Sequence, residues 1–206
     1  EAADLGLATD MDADRVTVYS NGFLSGDQVF SVMAEKVRGD VVASIDTSQA
    51  VEEKVTGRGD EVHYTRVGDP FVMDKALEVD ASLAGEPNGH YSVLDFVPYN
   101  SGTLTALIIA GLDVEDILEE LPKYNVQRES VKIQNKEEKM VLIEEEIRKN
   151  YQILSRIDGI KALIAGAEVL IRPSGSSPKI RVISEAEDEE VADKGLETAL
   201  AILQKA

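Results

Sequence analysis

Asp40-Val-Val-Ala-Ser-Ile45 is a nearly continuous apolar run, the pattern of a strand buried on both faces of its sheet. Helical spacing lies on both sides of it. Val29, Phe30, Val32, Met33 and Val37 recur on one helical face behind Ser25 and Asp27, which suit a cap and a first turn, and Gly39 closes that helix. Asp46-Thr47-Ser48 offers caps for a second helix to about Lys54, broken by Gly57 and Gly59. Glu61–Val67 reads as the next strand, Asp69–Val79 as the next helix and Ala81–Ala84 as a short strand. Alternation of this length implies a layered, mostly parallel α/β domain with its ligands at the carboxyl ends of the strands. Tyr99–Leu112, with Leu104, Leu107, Ile108 and Ile109 expected inside, and Asp113–Leu121 add two helices whose apolar stripes read as core.

Pro122 and the polar stretch Lys123–Glu129 mark a boundary, after which the pattern becomes strand, helix, several strands, helix. Lys136–Lys149 is amphipathic, with Met140, Ile143 and Ile147 inward and its glutamates solvated. Ile160–Ile164, Glu168–Ile171 and Ile180–Ile183 read as antiparallel strands with turns at Asp158-Gly159 and Ala165-Gly166, and Asp188–Lys205 as a closing helix. The second part is thus a smaller α+β domain with an antiparallel sheet. At 206 residues, 43% hydrophobic and 29% charged, the chain has a globular composition, and two domains fit it better than one.

Composition also excludes function classes. No apolar run approaches the ~18 residues of a membrane span, and Glu1–Asp4 does not suit a signal peptide. Without cysteine there is no disulfide, thiolate metal site or cysteine nucleophile, which is compatible with a reducing compartment. The expected location is cytoplasmic. The net charge of −18 repels nucleic acid and anionic membranes, so neither is expected as a partner. The same charge repels a phosphorylated metabolite, which must then be drawn in by a metal or a local cluster of arginine and backbone amides.

Three loops could supply such groups. Asp10-Met-Asp-Ala-Asp-Arg15 places three carboxylates at alternate positions before a fixed positive charge, entering the alternating strand Val16–Ser20 and the hairpin signal Ser20-Asn21-Gly22. Like charges so close need a cation or water between them, and Mg²⁺ suits so few oxygen ligands better than Ca²⁺. A calcium hand is ruled out, because Arg15 and Asn21 stand where it needs glycine and glutamate. A solvated acidic turn is the alternative. In Gly85-Glu-Pro-Asn-Gly-His90, two glycines permit close backbone turns while Glu86, Asn88 and His90 form a polar grip suited to sugar hydroxyls, against the alternative of an ordinary turn. His63, in mid-strand, reads as structural. Arg172-Pro-Ser-Gly-Ser-Ser-Pro178 joins hydroxyls, consecutive N–H groups and a forked cation into a phosphate cradle, or else is a Ser/Pro-rich turn; it lacks the Gly-Lys-Ser/Thr ending of a P-loop.

Together these loops resemble the α-D-phosphohexomutases, the family of phosphomannomutase/phosphoglucomutase and phosphoglucosamine mutase. Asp10–Arg15 is similar to the family's Asp-Gly-Asp-Ala/Gly-Asp-Arg metal loop, Gly85–His90 to its Gly-Glu-x-Ser/Asn-Gly-His sugar loop and Arg172–Pro178 to its Arg-Pro-Ser-Gly-Thr-x-Pro phosphate loop. Spacing agrees throughout, and the resemblance covers essentially the whole chain. It implies that residues 1–15 are the tail of the family's second domain, 16–121 its third, sugar-binding domain, and 122–206 its fourth, phosphate-binding domain. Asp10, Asp12 and Asp14 would bind Mg²⁺, with Arg15 beside the phosphoryl group. Glu86 and Asn88 would hold sugar hydroxyls with His90 close by, and Asp69 falls in the loop that helps select the sugar. Arg172, Ser174, Gly175 and Ser176 would hold the phosphate not being transferred. Met11 for glycine, Asn88 where serine is common and Ser176 for threonine are departures.

The family transfers phosphate through a phosphoserine in a Thr-Ala-Ser-His-Asn-Pro-like motif of its first domain, and nothing in this chain resembles it. The resemblance therefore implies the C-terminal half of a mutase that interconverts hexose or hexosamine 6-phosphate and 1-phosphate, inactive without its N-terminal domains. The expectation is a piece of an enzyme roughly twice as long. A non-catalytic sugar-phosphate-binding module is the alternative. Glucosamine, mannose and glucose all remain open as the sugar, Gly85-Glu-Pro-Asn-Gly favouring phosphoglucosamine mutase.

Overall fold

A computed structural model describes residues 3–205. They fall into two compact units that divide between Pro122 and Lys123, each taken by itself below.

The first unit opens with a hairpin of β1 (Gly6–Thr9) and β2 (Val16–Tyr19), paired antiparallel from Gly6↔Tyr19 to Thr9↔Val16. Residues on either side of Val16 are thereby strands of one hairpin. Helix α1 (Gly26–Lys36) starts at a capping box, Ser25 Oγ accepting from Gln28 N–H at 3.2 Å and Gln28 Oε1 from Ser25 N–H at 2.8 Å. Then come β3 (Val41–Ser44), α2 (Gln49–Thr56) capped by Ser48, β4 (Val62–Thr65), α3 (Asp69–Val79), β5 (Leu83–Gly85), β6 (Tyr91–Val93), α4 (Gly102–Ile109) and α5 (Val114–Glu120).

The sheet runs β4-β3-β5-β6, with β3 parallel to β4 and β5, and β6 antiparallel at the edge. Every residue of β3 is buried because both sheet faces are covered. Val41, Ala43 and Leu83 join Val29, Phe30, Met33, Val51 and Ile109 on one face. Val42 and Ala84 pack with Val72, Ala76 and Ala81 on the other. The apolar run at 41–45 is thus the middle layer of an α/β/α sandwich.

The expected helix at 99–112 is shorter, and its packing differs from expectation. Ile109 is buried, Leu104 and Ile108 are half-buried, and Leu107 points outward at 69% exposure. Residues 99–101 are an entry segment ending in the cap Ser101, so the inward stripe is narrower.

In the second unit, β7 (Asn125–Lys132) precedes α6 (Lys136–Asn150), and β8 (Gln152–Ser155), β9 (Ile160–Ile164), β10 (Ala167–Pro173), β11 (Lys179–Ala186) and α7 (Glu189–Lys205) follow. All pairings in the order β7-β11-β10-β9-β8 are antiparallel. Ile143 and Ile147 of α6 and Ala199, Ile202 and Leu203 of α7 pack on Ile164, Val169, Ile171, Ile180 and Val182. The polar stretch expected to be a boundary is largely β7. An edge strand with a solvated face tolerates that composition, and charge there discourages pairing with another chain.

Candidate active site

The β1–β2 pairing makes Asp10–Arg15 the connection of a hairpin. Ala13, at φ +57°, turns the chain in the left-handed region, its N–H donating to Asp10 O at 3.2 Å. Met11 avoids that region and its side chain is wholly exposed, so a side chain at the family's glycine position imposes no backbone strain here. The turn brings carboxylate oxygens of Asp10, Asp12 and Asp14 within 4.8 Å of one another. Arg15 Nε lies 3.0 Å from Asp10 Oδ2 and 3.5 Å from Asp14 Oδ1, and Arg15 N–H donates to Asp10 Oδ1 at 3.3 Å. Asp14 Oδ1 is buried yet accepts no hydrogen bond. Three carboxylates so grouped, one with a buried oxygen that accepts no hydrogen bond, make a donor set that fits a hard divalent cation.

Gly85–His90 is the turn between β5 and β6, closed by Glu86 N–H to His90 O at 3.0 Å and Gly89 N–H to Glu86 O at 3.3 Å. It docks directly on the acidic hairpin. Arg15 and His90 form an antiparallel bridge, and Val16 N–H donates to Gly89 O at 3.3 Å. His90 Nε2 stands 3.1 Å from Asp14 Oδ2, and its Nδ1 faces Glu86 Oε2 at 3.7 Å, an ion-pair rather than a hydrogen-bond distance. The Glu86 carboxylate, then Asp14, raises the His90 pKa against the opposing effects of burial and Arg15. Burial disfavours the Glu86 carboxylate, but His90, the Gly68 N–H and Asn88 outweigh it and leave its pKa lowered. One carboxylate at each ring nitrogen favours the imidazolium, in which both nitrogens carry protons.

Glu86 is only 3% exposed, accepting from Gly68 N–H at 2.7 Å and from Asn88 Nδ2 at 3.3 Å. It therefore ties the sugar-type loop to the loop that opens α3. There Asp69 accepts a hydrogen bond from the Asn100 amide, whose Oδ1 accepts from Ser92 Oγ at 2.8 Å. Asp10, Asp12, Asp14, Arg15, Glu86, Asn88, His90 and Asp69 thus lie along one connected set of contacts in the first unit.

Arg172, Ser174, Gly175 and Ser176 belong to the second unit. Arg172, 6% exposed at the end of β10, donates from Nη1 to Asp158 Oδ2 at 2.9 Å. The loop from Ser174 is closed by Ser174 N–H to Lys179 O at 2.9 Å, Lys179 N–H to Ser177 O at 2.8 Å and Ser177 Oγ to Ser174 Oγ at 2.9 Å. A shallow cavity of about 330 Å³ is lined by residues 175–178 of this loop and by Ile133, Asn135, Lys136 and Glu137.

Residues 25–123 match the family model described as phosphoglucomutase/phosphomannomutase, alpha/beta/alpha domain III, and residues 115–201 match its C-terminal domain. The chain belongs to the phosphoglucomutase/phosphomannomutase family. It is 38% identical over 205 residues to a probable phosphoglucosamine mutase of Methanopyrus kandleri, covering 92% of this chain and 45% of that protein. With a phosphoglucomutase/phosphomannomutase of Thermococcus kodakarensis it shares 34% identity, over 99% of this chain and 48% of the relative. The chain spans about half the length of the curated relatives it matches. A crystal structure of a phosphoglucomutase/phosphomannomutase family protein from Burkholderia thailandensis shares its fold at a TM-score of 0.83 and 20% identity, over 98% of this chain and 47% of that one. So does Aspergillus fumigatus N-acetylphosphoglucosamine mutase, solved with GlcNAc-6P and magnesium, at 0.73 and 15%, over 99% and 50%.

Three residues that shape these sites escape sequence reasoning. At Gly102 a Cβ would lie 2.1 Å from Arg15 O, and its N–H donates to Ala13 O at 2.9 Å, so the acidic hairpin rests directly on the start of α4. From sequence, Ser101-Gly102 signals only a helix start. Asn100, the partner of Asp69, carries no local signal. Lys136 donates from Nζ to the backbone carbonyls of Ser174 and Ser177. Its signal was available: a lysine at the first position of a helix opposes the helix dipole, which the following Glu137 and Glu138 respect.

Proposed function

We propose that this chain carries the metal, sugar and distal phosphate sites of a phosphohexomutase, which interconverts hexose or hexosamine 6-phosphate and 1-phosphate through a phosphoserine and a bisphosphorylated sugar. The observation that carries the reading is His90, shared between Asp14 of the acidic hairpin and Glu86 of the sugar-type loop. One imidazole thereby couples a cation site to a sugar site, as phosphoryl transfer to a sugar hydroxyl requires.

Asp10, Asp12 and Asp14 would hold Mg²⁺, which supplies charge neutralisation at the phosphoryl oxygens. Arg15 turns its guanidinium from Asp10 to the incoming phosphoryl group and stabilises the charge that spreads over its equatorial oxygens. His90, kept protonated between its two carboxylates, donates to substrate oxygen at the reacting end. Asn88 yields its place at Glu86 Oε2 to a sugar hydroxyl, and Asp69, steadied by Asn100, contributes to the choice of sugar. Arg172, Ser174, Gly175 and Ser176 grip the phosphate that is not transferred. The bisphosphorylated sugar must be held in either orientation, and a grip on its hydroxyls by Glu86 and Asn88 that accepts both would allow this. The phosphoserine is contributed by N-terminal domains of the same polypeptide, in the cytoplasm. Glucosamine phosphate is the preferred substrate class, supported by Gly85-Glu-Pro-Asn-Gly and by the name of the Methanopyrus relative.

Calorimetric titration of the 206-residue chain with glucosamine 6-phosphate and mannose 6-phosphate, with and without Mg²⁺, tests this reading. Mg²⁺-dependent binding that is lost in Asp12→Asn and in Arg172→Met supports it. Absence of binding to either sugar phosphate with Mg²⁺ present sinks it.

A further inference from the structure

We infer that Lys136 is a positioning residue for the phosphate loop, acting through the backbone N–H of Gly175; this rests on the reading of Arg172–Ser176 as a phosphate cradle. Lys136 Nζ donates to the carbonyl of Ser174 and, at 3.2 Å, to that of Ser177. The peptide joining Ser174 to Gly175 is planar and trans, so its C=O and N–H point in opposite directions. An ammonium that fixes the Ser174 carbonyl on one side therefore turns the Gly175 N–H to the other. Nothing lies within 4 Å of the place a Gly175 Cβ would occupy, so the chain there has an open side for an anion to approach.

The rest of the loop does not hold this peptide. Ser174 N–H and Ser177 O are engaged with Lys179, and the two serine hydroxyls with each other. Ser177 is followed by Pro178, which has no N–H to offer. Gly175 is moreover the residue most free to rotate. A cation behind a carbonyl also polarises the peptide and strengthens its N–H as a donor. Asn135, at φ +53°, immediately precedes Lys136 at the start of α6, and the Lys136 side chain is only 18% exposed although it carries charge; Glu137 Oε1, on a largely exposed side chain, lies 4.0 Å from its Nζ. An ordinary first-turn lysine would be solvated.

The test uses the ¹⁵N-labelled 206-residue chain and inorganic phosphate as the probe, read at the Gly175 amide. In the wild type that amide moves downfield as phosphate is added. Lys136→Met keeps the aliphatic stem and removes the ammonium, and is expected to weaken phosphate binding about tenfold to a hundredfold, as for loss of a charge-assisted hydrogen bond. It also moves the phosphate-free Gly175 amide upfield while the Ser174 amide stays in place, and Lys136→Arg restores both affinity and shift. A merely structural lysine would disturb the two amides together. If Lys136→Met binds phosphate as tightly as the wild type, with the Gly175 amide still responding, the inference fails and the cradle stands. If the wild-type Gly175 amide ignores phosphate, both fall. Should Lys136→Met fail to fold, the wild type decides: the Lys136 ammonium resonance sharpens on adding phosphate, and one that stays in free exchange with water overturns the inference.

Discussion

Asp14 meets two demands with one carboxylate. Its Oδ2 is 3.1 Å from His90 Nε2, its Oδ1 is buried without a hydrogen bond, and an oxygen of the same carboxylate lies within 4.8 Å of oxygens of Asp10 and Asp12. Unit charges about 4 Å apart repel by ~1 kcal/mol in water and ~4 kcal/mol near a protein surface, so a cation held among the three carboxylates would relieve their mutual repulsion. Arg15 relieves Asp10 and Asp14. Asp12→Asn is accordingly expected to act in opposite directions on two observables: the Tm of the metal-free chain rises slightly, and Mg²⁺ or Mn²⁺ binds at least about tenfold more weakly. Thermal melts with and without the ion, beside a direct titration, check this; an Asp12→Asn chain still stabilised by Mg²⁺ as strongly as the wild type would count against the triad. Gly102→Ala tests the support beneath it. A Cβ 2.1 Å from Arg15 O must displace backbone, so a loss of about 1–3 kcal/mol in urea unfolding is expected, with weaker ion binding alongside. The carboxylates, Glu86, Asn88 and His90 were legible in sequence because each stands in a dense polar motif. Gly102 and Asn100 were not, because each acts on a segment distant in sequence and its role exists only once the chain is folded, whereas Lys136 carried a signal, a cation in a helix's first turn, that named no partner.

At the scale of elements, α1 was readable at its start because a capping box is a local code, Ser25 to Gln28. By contrast β6, three residues long and antiparallel at the sheet edge, offers too little periodicity to be seen, and β7 hides in polar composition. Gly26 sets local preference against tertiary contact. Replacing it by alanine within α1 favours the helix by about 1 kcal/mol on propensity alone. A Cβ there would fall 1.9 Å from Pro87 O, and Tyr91 Oη already donates to Gly26 O at 2.7 Å, so the sugar-type loop is seated on the first turn of this helix. Backbone against backbone leaves no rotamer to yield, and the contact is expected to win. Gly26→Ala should lose about 1–3 kcal/mol of stability and speed hydrogen exchange across residues 86–90, while exchange in the second unit stays as it was. A stabilised Gly26→Ala would show that propensity governs, and that the loop is not held by α1.

Over the whole molecule the charge of −18 is distributed very unequally. Glu1–Pro122 carries 7 Lys and Arg against 24 Asp and Glu, a net of −17, and Lys123–Ala206 carries 14 against 15, a net of −1. Composition taken over the full chain concealed this, because the division falls at a boundary that has to be located first. The unit with the acidic triad thus repels anions unless a cation is bound, whereas the unit with Arg172 and Lys136 sets no such long-range penalty against an anion. Self-repulsion at −17 also weighs on folding of the first unit alone. Raising the ionic strength from about 10 mM to about 150 mM shortens the screening length from ~30 Å to ~8 Å, which should stabilise the first unit and leave the second nearly unmoved. Hydrogen exchange resolved at Val42 and at Ile171, buried in the two separate cores, reads the units individually. The expected result is slower exchange at Val42 with added NaCl and little change at Ile171, with Mg²⁺ more effective at Val42 than NaCl of equal ionic strength because it binds as well as screens. Equal slowing at both residues would mean that the two units unfold as one, and an advantage of NaCl over Mg²⁺ at Val42 would argue against a divalent site in the acidic hairpin.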